Sequence, residues 1–242
     1  MGLIVQKFGG TSVADRTCLY NVANMIARRI KEGNRVVTVV SAQGDSTDLL
    51  LNKAGELSKN PSLRELDALL SVGEQEAAAL LAITLNEIGV QAVSLNGIQA
   101  GIHSDAEYGN AQIIRIDTER ILSHLNQGCT VVVAGFQAFD ENGDVTTLGR
   151  GGSDTTAVAL AAYLNADECR IYKDVDGIYT SDPRIDPSAK KISRLTYDEM
   201  LEICRKGSGV LQQRSVELAK EHGVLLNILS SFQRLEGTII SH

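Results

Sequence analysis

The chain has 242 residues, of which 43% are hydrophobic and 22% are charged, as in ordinary globular proteins and unlike disordered ones. Its 30 acidic and 23 basic residues give a net charge of −7, so it offers no basic surface for nucleic acid or an anionic membrane. Only 4% of the residues are aromatic and none is Trp, which argues against a base-stacking platform. The length suits one large α/β domain, and we expect a single domain over residues 1–242.

The N-terminus and the cysteines indicate a cytoplasmic protein. Residues 1–7 contain no basic leader and too short an apolar run for a signal peptide, and no apolar stretch approaches the ~20 residues of a membrane span. The four His have no metal-ligand spacing, and the four Cys are far apart, with no CxxC motif. We therefore expect reduced, mostly buried thiols rather than a disulfide framework or a zinc site. These thiols belong to Cys18, Cys129, Cys169 and Cys204.

Apolar runs rich in β-formers alternate with helical patterns along the chain. The runs occupy residues 3–8, 35–41, 90–95, 129–135, 168–173 and 224–229. Helical patterns cover residues 15–32, 47–58, 118–126, 154–164, 197–205 and 212–221, and a pair of helices within residues 62–88. Several runs are continuously apolar, as in parallel strands that are buried on both faces. The alternation predicts an α/β fold, a three-layer αβα sandwich with a mainly parallel central sheet. A turn signal at residues 141–144 predicts a hairpin within residues 137–147.

The first predicted strand ends in the glycine turn Lys7-Phe8-Gly9-Gly10-Thr11-Ser12, which a helix follows. Glycine lets backbone N–H groups approach an anion closely, the next helix presents its positive end, and the Lys7 ammonium can contact phosphate. Glycine turns are common, so two interpretations stay open: a phosphate-binding loop, or a plain strand-to-helix turn beside a surface lysine.

A second glycine loop covers residues 147–156 and leads into an alanine-rich helix, for which Ser153 is the predicted N-cap. Its three glycines in four positions cost more chain entropy than a helix cap requires. The loop is not a Rossmann fingerprint, because Asp154 stands where the third glycine belongs, and the chain has no Gly-Lys dipeptide for a Walker A loop. A carboxylate beside phosphates is repelled unless it organises a cation, so we expect a lysine or Mg²⁺ next to Asp154.

Three further segments place polar residues where strands end or helices begin. Residues 41–48 follow the second strand and form another strand-end anion site. Gly73 predicts a helix break with Glu74 at the restart, although a lone Glu is usually a solvated helix residue. Residues 172–184 follow a strand and have the density of polar and turn residues typical of a functional loop. The alternative is a solvated turn in which Asp174 and Asp182 cap helices.

Taken together and in this order, these segments resemble the aspartate kinase branch of the amino acid kinase family over essentially the whole chain. The matching motifs are KFGGTSV at residues 7–13, SAQGDSTD at 41–48, LLSVGEQE at 69–76, AGFQ at 134–137, TTLGRGGSDTTAVALA at 146–161, DVDGIYTSDPR at 174–184, YDEM at 197–200 and SSF at 230–232. The resemblance implies an amino-acid-binding N-terminal lobe and an ATP-binding C-terminal lobe on one continuous sheet. It also implies phosphorylation of the β-carboxylate of L-aspartate by ATP, the first step towards lysine, threonine and methionine.

The resemblance further implies a role for each matched residue. Lys7 would stabilise the transferring phosphoryl group, and Asp154 would organise Lys7 and the metal. The implied ATP-binding residues are Lys7, Phe8, Gly9, Gly10, Ser41, Lys173, Asp174, Tyr179, Arg184, Gly209 and Val210. The implied aspartate-binding residues are Thr47, Glu74, Arg150, Gly151, Gly152 and Ser153. Mg²⁺ is expected mainly through the ATP phosphates, and no protein ligand is assigned to it.

These roles agree with the chemistry of the implied reaction. The guanidinium fork of Arg150 suits the α-carboxylate of aspartate, and the charge of Glu74 suits its α-ammonium. The nucleophilic β-carboxylate is already ionised at pH 7, so catalysis needs alignment and charge neutralisation rather than a general base. The implied partners are L-aspartate, ATP and further copies of the chain in a homo-oligomer, with neither nucleic acid nor a membrane.

The sequence departs from the family at three positions. The family commonly has Met at the position of Gln43, Thr at that of Lys173 and Lys at that of Gly209. We expect Lys173 to replace part of the missing positive charge, unless its ammonium points to solvent or pairs with Asp174 or Asp176. The family usually continues into regulatory ACT domains, so we expect a catalytic domain without them. The alternative functions are a kinase of another amino acid or small carboxylate, and a non-catalytic paralogue that binds nucleotide or amino acid.

Overall fold

A computed structural model describes residues 2–181, 185–186, 188–207, 209–233 and 235–242. The strands are β1 (Leu3–Phe8), β2 (Arg35–Val40), β3 (Ala92–Leu95), β4 (Ile102–Ser104), β5 (Ile113–Ile116), β6 (Thr130–Ala134), β7 (Gln137–Phe139), β8 (Val145–Thr147), β9 (Glu168–Lys173), β10 (Ile178–Tyr179), β11 (Lys191–Ile192), β12 (Arg194–Thr196), β13 (Leu226–Ser230) and β14 (Thr238–Ser241). The helices are α1 (Arg16–Lys31), α2 (Ser46–Leu57), α3 (Leu63–Glu87), α4 (Glu119–Asn126), α5 (Gly152–Tyr163), α6 (Tyr197–Arg205) and α7 (Gln213–His222), with a 3-10 turn at Gly10–Val13.

A mainly parallel sheet forms the centre of the fold, with the strand order β12-β14-β13-β9-β1-β2-β6-β3. The six strands from β13 to β3 in this order are parallel to one another, whereas β14 is antiparallel to β13. In the centre, Phe8 pairs with Val40 of β2 on one side and with Tyr172 of β9 on the other. The carboxyl ends of these three strands therefore meet at one edge, where ligands bind in open parallel sheets.

Two groups of helices cover the two faces of the sheet. Strand β2 shows the division, because alternate side chains of a strand point to opposite faces. Val36 and Val40 belong to a hydrophobic cluster with residues of α1 and α3, whereas Val37 and Val39 belong to a second cluster with residues of α4, α5, α6 and α7. The predicted three-layer sandwich is thereby confirmed.

A smaller sheet with the order β5-β4-β7-β8 lies beside the glycine loop before α5. Strands β7 and β8 form the predicted hairpin, with Gln137 paired to Thr147, so the hairpin ends directly before that loop. Strands β4 and β5 were not predicted. They have three and four residues, too few to show a period of two in the sequence.

The predicted pair of helices within residues 62–88 is wrong, because α3 runs unbroken over 25 residues. Gly73 lies inside this helix and has a steric role. A Cβ atom at Gly73 would lie 2.8 Å from the Cβ of Ala42, in the loop after β2. Glycine at this position therefore lets the loop pack closely against the helix.

Helix α3 also changes one expectation about membrane spans. By length and composition α3 is apolar enough to cross a bilayer, with a mean hydropathy of 1.4 over an 18-residue window. By this hydropathy measure, the expectation that no apolar stretch approaches the length of a membrane span is wrong. However, 56% of that window is buried inside the domain. The helix packs on β3, β6 and α1, as a core helix does.

The cysteines are free thiols, as expected, but they are less buried than expected. Cys169 is fully buried in the sheet, whereas Cys18, Cys129 and Cys204 are partly exposed. Burial raises the pKa of the Cys129 thiol, which keeps it protonated at neutral pH. In the described part of the chain, no group of three or more His, Cys, Asp or Glu side chains could hold a metal ion.

Candidate active site

Lys7, Lys173 and Asp154 form an ion-pair cluster at the carboxyl edge of the central sheet. Lys7 pairs with Ile171 in the strand register, so the side chains of Lys7 and Lys173 leave neighbouring strands on the same face, towards α5. Asp154 meets both lysines from the first turn of α5. Its Oδ1 lies 2.8 Å from Lys7 Nζ, and its Oδ2 accepts a hydrogen bond of 2.6 Å from Lys173 Nζ. The cation expected beside Asp154 is therefore supplied by two lysines.

Burial and charge act in opposite directions on this cluster. Burial lowers the pKa of Lys7 below its ordinary value, and although the carboxylate of Asp154 opposes this, the charge of Lys173 adds to it. Burial acts to raise the pKa of Asp154, but the positive charges of Lys7 and Lys173 outweigh burial and hold that pKa below its usual range. Asp154 is thus ionised at neutral pH. The cluster thus has two lysines and one carboxylate, and lysine side chains suit a polyphosphate ligand.

The two strand-end loops that were predicted as separate anion sites pack against each other beside Lys7. A Cβ atom at Gly9 would lie 3.7 Å from Lys7 Nζ, and one at Gly10 would lie only 2.5 Å from the carbonyl oxygen of Ala42. The Gly44 N–H donates to the Gly10 carbonyl at 3.2 Å. Glycine is therefore required at residue 10 for this contact, and the loops after β1 and β2 form one structure.

Glu74 reaches the same region from α3, with only 4% of the residue exposed. Its Oε1 accepts a hydrogen bond of 3.1 Å from the Ala42 N–H, while Oε2 has no hydrogen-bond partner among the described residues. Burial raises the pKa of Glu74 to about 7, against the lowering effects of the Ala42 hydrogen bond and the Lys7 charge. The interpretation of Glu74 as a solvated helix residue is therefore wrong. A buried carboxylate oxygen without a partner is costly, and a ligand ammonium would satisfy it.

The loop before α5 needs its glycines. Gly149 and Gly151 have φ angles of +71° and +74°, in the left-handed region, and a Cβ atom at Gly152 would lie 2.9 Å from two hydrophobic side chains. The predicted N-cap is wrong, because Ser153 lies inside the first turn of α5 and the N-cap residue is Gly151. No side chain caps this helix, so its first N–H groups face the loop without a side-chain partner.

The remaining residues predicted to bind aspartate lie on separate elements. Thr47 is half-buried in the first turn of α2, close in sequence to the loop that Glu74 holds. Arg150 is exposed between the glycines and makes no hydrogen bond or ion pair to any described residue. Of the residues predicted to bind ATP, Ser41 donates its N–H to the Phe8 carbonyl at 3.1 Å. The structure thus places Glu74 and Thr47 at one loop, and it does not join Arg150 to them.

A cavity of about 750 Å³ collects the other residues predicted to bind the nucleotide. Its size is within the range of small-molecule sites. Apolar side chains such as those of Ile178 and Ile203 form part of its wall. The predicted residues that line it are Lys173, Asp174, Tyr179, Gly209 and Val210. Arg184 lies outside the described residues.

Two predicted residues have surroundings that change their interpretation. The Phe8 side chain is fully buried and stacks on Tyr172 with ring centroids 4.5 Å apart, so only the backbone of Phe8 can face a nucleotide. Lys173 neither points to solvent nor pairs with Asp174 or Asp176, since its ammonium contacts Asp154. The carboxylate of Asp176 accepts instead from Lys191, at 3.1 Å.

Three polar residues that the sequence analysis did not select hold these loops in place. Asp67, on α3, accepts hydrogen bonds of 2.7 Å from both the N–H and the hydroxyl group of Thr147, at the start of the glycine loop. Gln137 donates to a carbonyl of α3 at 2.8 Å, and Arg214, on α7, donates to the Leu148 carbonyl at 3.2 Å. Asp67 carries a signal that could have been used: it is a charged residue seven positions before Glu74 in an apolar helix.

Comparison with known proteins identifies the family. The model of the amino acid kinase family matches residues 2–230. The chain is 55% identical to an aspartokinase of Bacillus sp. (strain MGA3) over 240 residues, which is 99% of the chain but only 58% of the length of that relative. Among solved structures, aspartate kinase from Synechocystis has a TM-score of 0.89 at 48% identity, covering 99% of this chain and 40% of the other. E. coli aspartokinase III in complex with aspartate and ADP has a TM-score of 0.89 at 27% identity, covering 99% of this chain and 64% of the other. The chain therefore belongs to the amino acid kinase family.

Proposed function

We propose that this chain transfers the γ-phosphoryl group of ATP to the β-carboxylate of L-aspartate, giving ADP and 4-phospho-L-aspartate. The observation that carries the proposal is the cluster of Lys7, Lys173 and Asp154, which joins the 750 Å³ cavity, through Lys173, to the glycine loop, through Asp154. The aspartokinase names of its relatives, and the complex of one structural neighbour with aspartate and ADP, support this substrate pair. The product would be the first intermediate towards lysine, threonine and methionine.

The reaction needs no general base. The aspartate β-carboxylate is ionised at neutral pH, so one of its oxygens attacks the γ-phosphorus directly. A new P–O bond forms to this oxygen while the bond from the γ-phosphorus to the bridging oxygen breaks, and ADP leaves with the electron pair. Catalysis then consists of aligning two anions that repel each other and neutralising the charge of the transferring group.

Lys7 supplies the neutralising charge in this proposal. Its ammonium lies at the ends of two strands, beside the Gly9 backbone, and Asp154 holds its position. Because the group is buried, its interaction with phosphate is stronger than the same interaction in water. The backbone N–H groups of Gly9 and Gly10 would donate to phosphate oxygens from the same side.

Glu74 and Arg150 select the acceptor in this proposal. The unpartnered Oε2 of Glu74 would accept from the α-ammonium of aspartate, and the exposed guanidinium of Arg150 would bind the α-carboxylate. Thr47 and Ser153 lie on the first turns of two helices, α2 and α5, and would donate to the acceptor from there.

Mg²⁺ would accompany ATP, but Asp154 does not fit a metal ligand. Both of its carboxylate oxygens contact lysine ammonium groups. We therefore propose that the phosphate oxygens of ATP and water hold the metal. The chemistry that Mg²⁺ supplies when bound is neutralisation of phosphate charge.

An acceptor-dependent ADP-release assay tests the proposal. ATP and Mg²⁺ are given with L-aspartate, with L-glutamate or with no acceptor, and hydroxylamine traps any acyl phosphate as its hydroxamate. We expect ADP release and hydroxamate only with aspartate. Release with glutamate alone would indicate a different carboxylate kinase, and binding of ATP without release in any mixture would indicate a non-catalytic paralogue.

A further inference from the structure

The ion-pair cluster contains two lysines but only one carboxylate. Asp154 is the carboxylate that both lysines contact, and a single lysine would balance its charge. Glu74 is the other carboxylate whose charge acts on Lys7, and in the proposed function it binds the substrate ammonium. An unbalanced ammonium beside a buried pair is unfavourable in the absence of an anionic ligand.

Lys173 is the member of the cluster that faces the cavity. Its side chain is 18% exposed, compared with 7% for Lys7 and 3% for Asp154, and it lines the cavity that collects the predicted nucleotide residues. A lysine ammonium has three N–H donors. The hydrogen bond to Asp154 uses one of them, and no other described residue accepts a hydrogen bond from Lys173 Nζ.

The backbone of Lys173 is fixed, so its ammonium has a defined position. Lys173 ends β9, where it pairs with Ser230 of β13. Its carbonyl accepts from both the N–H and the hydroxyl group of Ser231, each at 3.0 Å. A side chain with a fixed base and one fixed hydrogen bond loses little further entropy when it binds a ligand.

We propose that Lys173 is a second phosphate-binding cation of the site, which Asp154 positions next to Lys7 so that two ammonium groups face the phosphates of ATP. This inference rests on the proposed function for the identity of the nucleotide. It assigns to Lys173 a contact with phosphate, and to Asp154 the positioning of both lysines.

Titration calorimetry with AMP, ADP and ATP, without any acceptor, tests the assignment. The variants are Lys173→Met, and Lys173→Gln, which keeps a donor for Asp154 while removing the charge. The control is Lys220→Met, which removes a lysine from a surface pair with Asp198. In both Lys173 variants we expect the Kd of ATP to rise about tenfold or more, with a smaller rise for ADP and less than about a twofold change for AMP. The control should bind all three nucleotides as the unmodified chain does.

The way in which the loss of affinity grows from AMP to ADP to ATP distinguishes a phosphate contact of Lys173 from a structural role. Equal losses for AMP, ADP and ATP, or an unchanged Kd of ATP in both variants, would overturn the assignment. Because no acceptor is present, this result is independent of whether the chain phosphorylates aspartate. If the proposed function is wrong, the unmodified chain will release no ADP when ATP and aspartate are both present.

Discussion

Replacing Glu74 with Gln removes a buried titratable group without changing its shape, and its effect on stability can be calculated from the structure. Burial raises the pKa of this carboxyl from 4.5 to about 7. Between these pH values the folded chain holds a proton that the unfolded chain has released, so the free energy of unfolding falls as pH rises. The difference between these two pKa values, at about 1.36 kcal/mol per pH unit, amounts to about 3 kcal/mol. The loss is complete above about pH 8.

The assay is urea unfolding of the unmodified chain and of Glu74→Gln at about pH 5, 6, 7 and 8. Gln is neutral throughout, so we expect the stability of the variant relative to the unmodified chain to rise by about 2–3 kcal/mol over this range, the remainder of the change lying below pH 5. Glu76→Gln is the matched control, because Glu76 lies on the same helix and is exposed. Its stability relative to the unmodified chain should change by less than about 0.5 kcal/mol. A difference for Glu74→Gln that stays constant with pH would refute the reasoning.

The same carboxyl should govern the pH dependence of aspartate binding. A ligand ammonium beside Glu74 favours its ionised form, so binding at lower pH must first remove a proton. The KM for aspartate is therefore expected to rise as pH falls below about 7, and Glu74→Gln should raise KM and remove this dependence. An unchanged pH profile of KM in the variant would contradict the role of Glu74 at the ammonium.

Three further substitutions test other parts of the site. Lys7→Met should lower kcat about 100- to 1000-fold, and an unchanged kcat would contradict the role of Lys7. Its Tm should change little, because Asp154 keeps its contact with Lys173. Arg150→Ala should leave stability within about 0.5 kcal/mol and raise the KM for aspartate about tenfold, with the KM for ATP unchanged, whereas equal rises in both would indicate a damaged fold. Gly10→Ala should cost about 1–3 kcal/mol in urea unfolding, because its Cβ would meet the Ala42 carbonyl at 2.5 Å. Gly55→Ala is the control, because nothing lies within 4 Å of a Cβ atom there, and it should stabilise α2 by about 0.5–1 kcal/mol. If Gly10→Ala does not lower the stability relative to Gly55→Ala, the steric argument is refuted.

The fold was predictable where the sequence carries long hydrophobic patterns. Each of the six apolar runs became a strand of the central sheet, because a strand buried on both faces requires a continuous apolar run. Short strands such as β10 and β11, with two residues each, carry no such pattern. Gly73 led to a wrong prediction of a helix break, because glycine disfavours a helix through its chain entropy. The reason for glycine at this position is the close approach of Ala42, which only the tertiary structure shows.

The candidate site was predictable in its residues but not in its contacts. Lys7 and Asp154 were selected, and a cation was expected beside Asp154, because a carboxylate near phosphates needs one. That Lys173 would be one of those cations could not be predicted, since its position opposite α5 follows from the pairing of β9 with β1. Asp67 was missed for the same reason, because its partners Gly109 and Thr147 lie 42 and 80 residues away along the chain.

Helix α3 fixes the distance between two loops of the site by its own pitch. Asp67 holds the strand end before the glycine loop, and Glu74 holds the loop after β2, so the anchors are seven residues or about 10 Å of helix apart, on one face. A one-residue insertion between them would rotate the second anchor by ~100° and detach one of the two loops. This stretch should therefore accept changes of side chain at its exposed positions, Ala68 and Val72, but no change at Gly73 and no change of length. The spacing between the glycine loop and the loop after β2 is then set before any ligand binds.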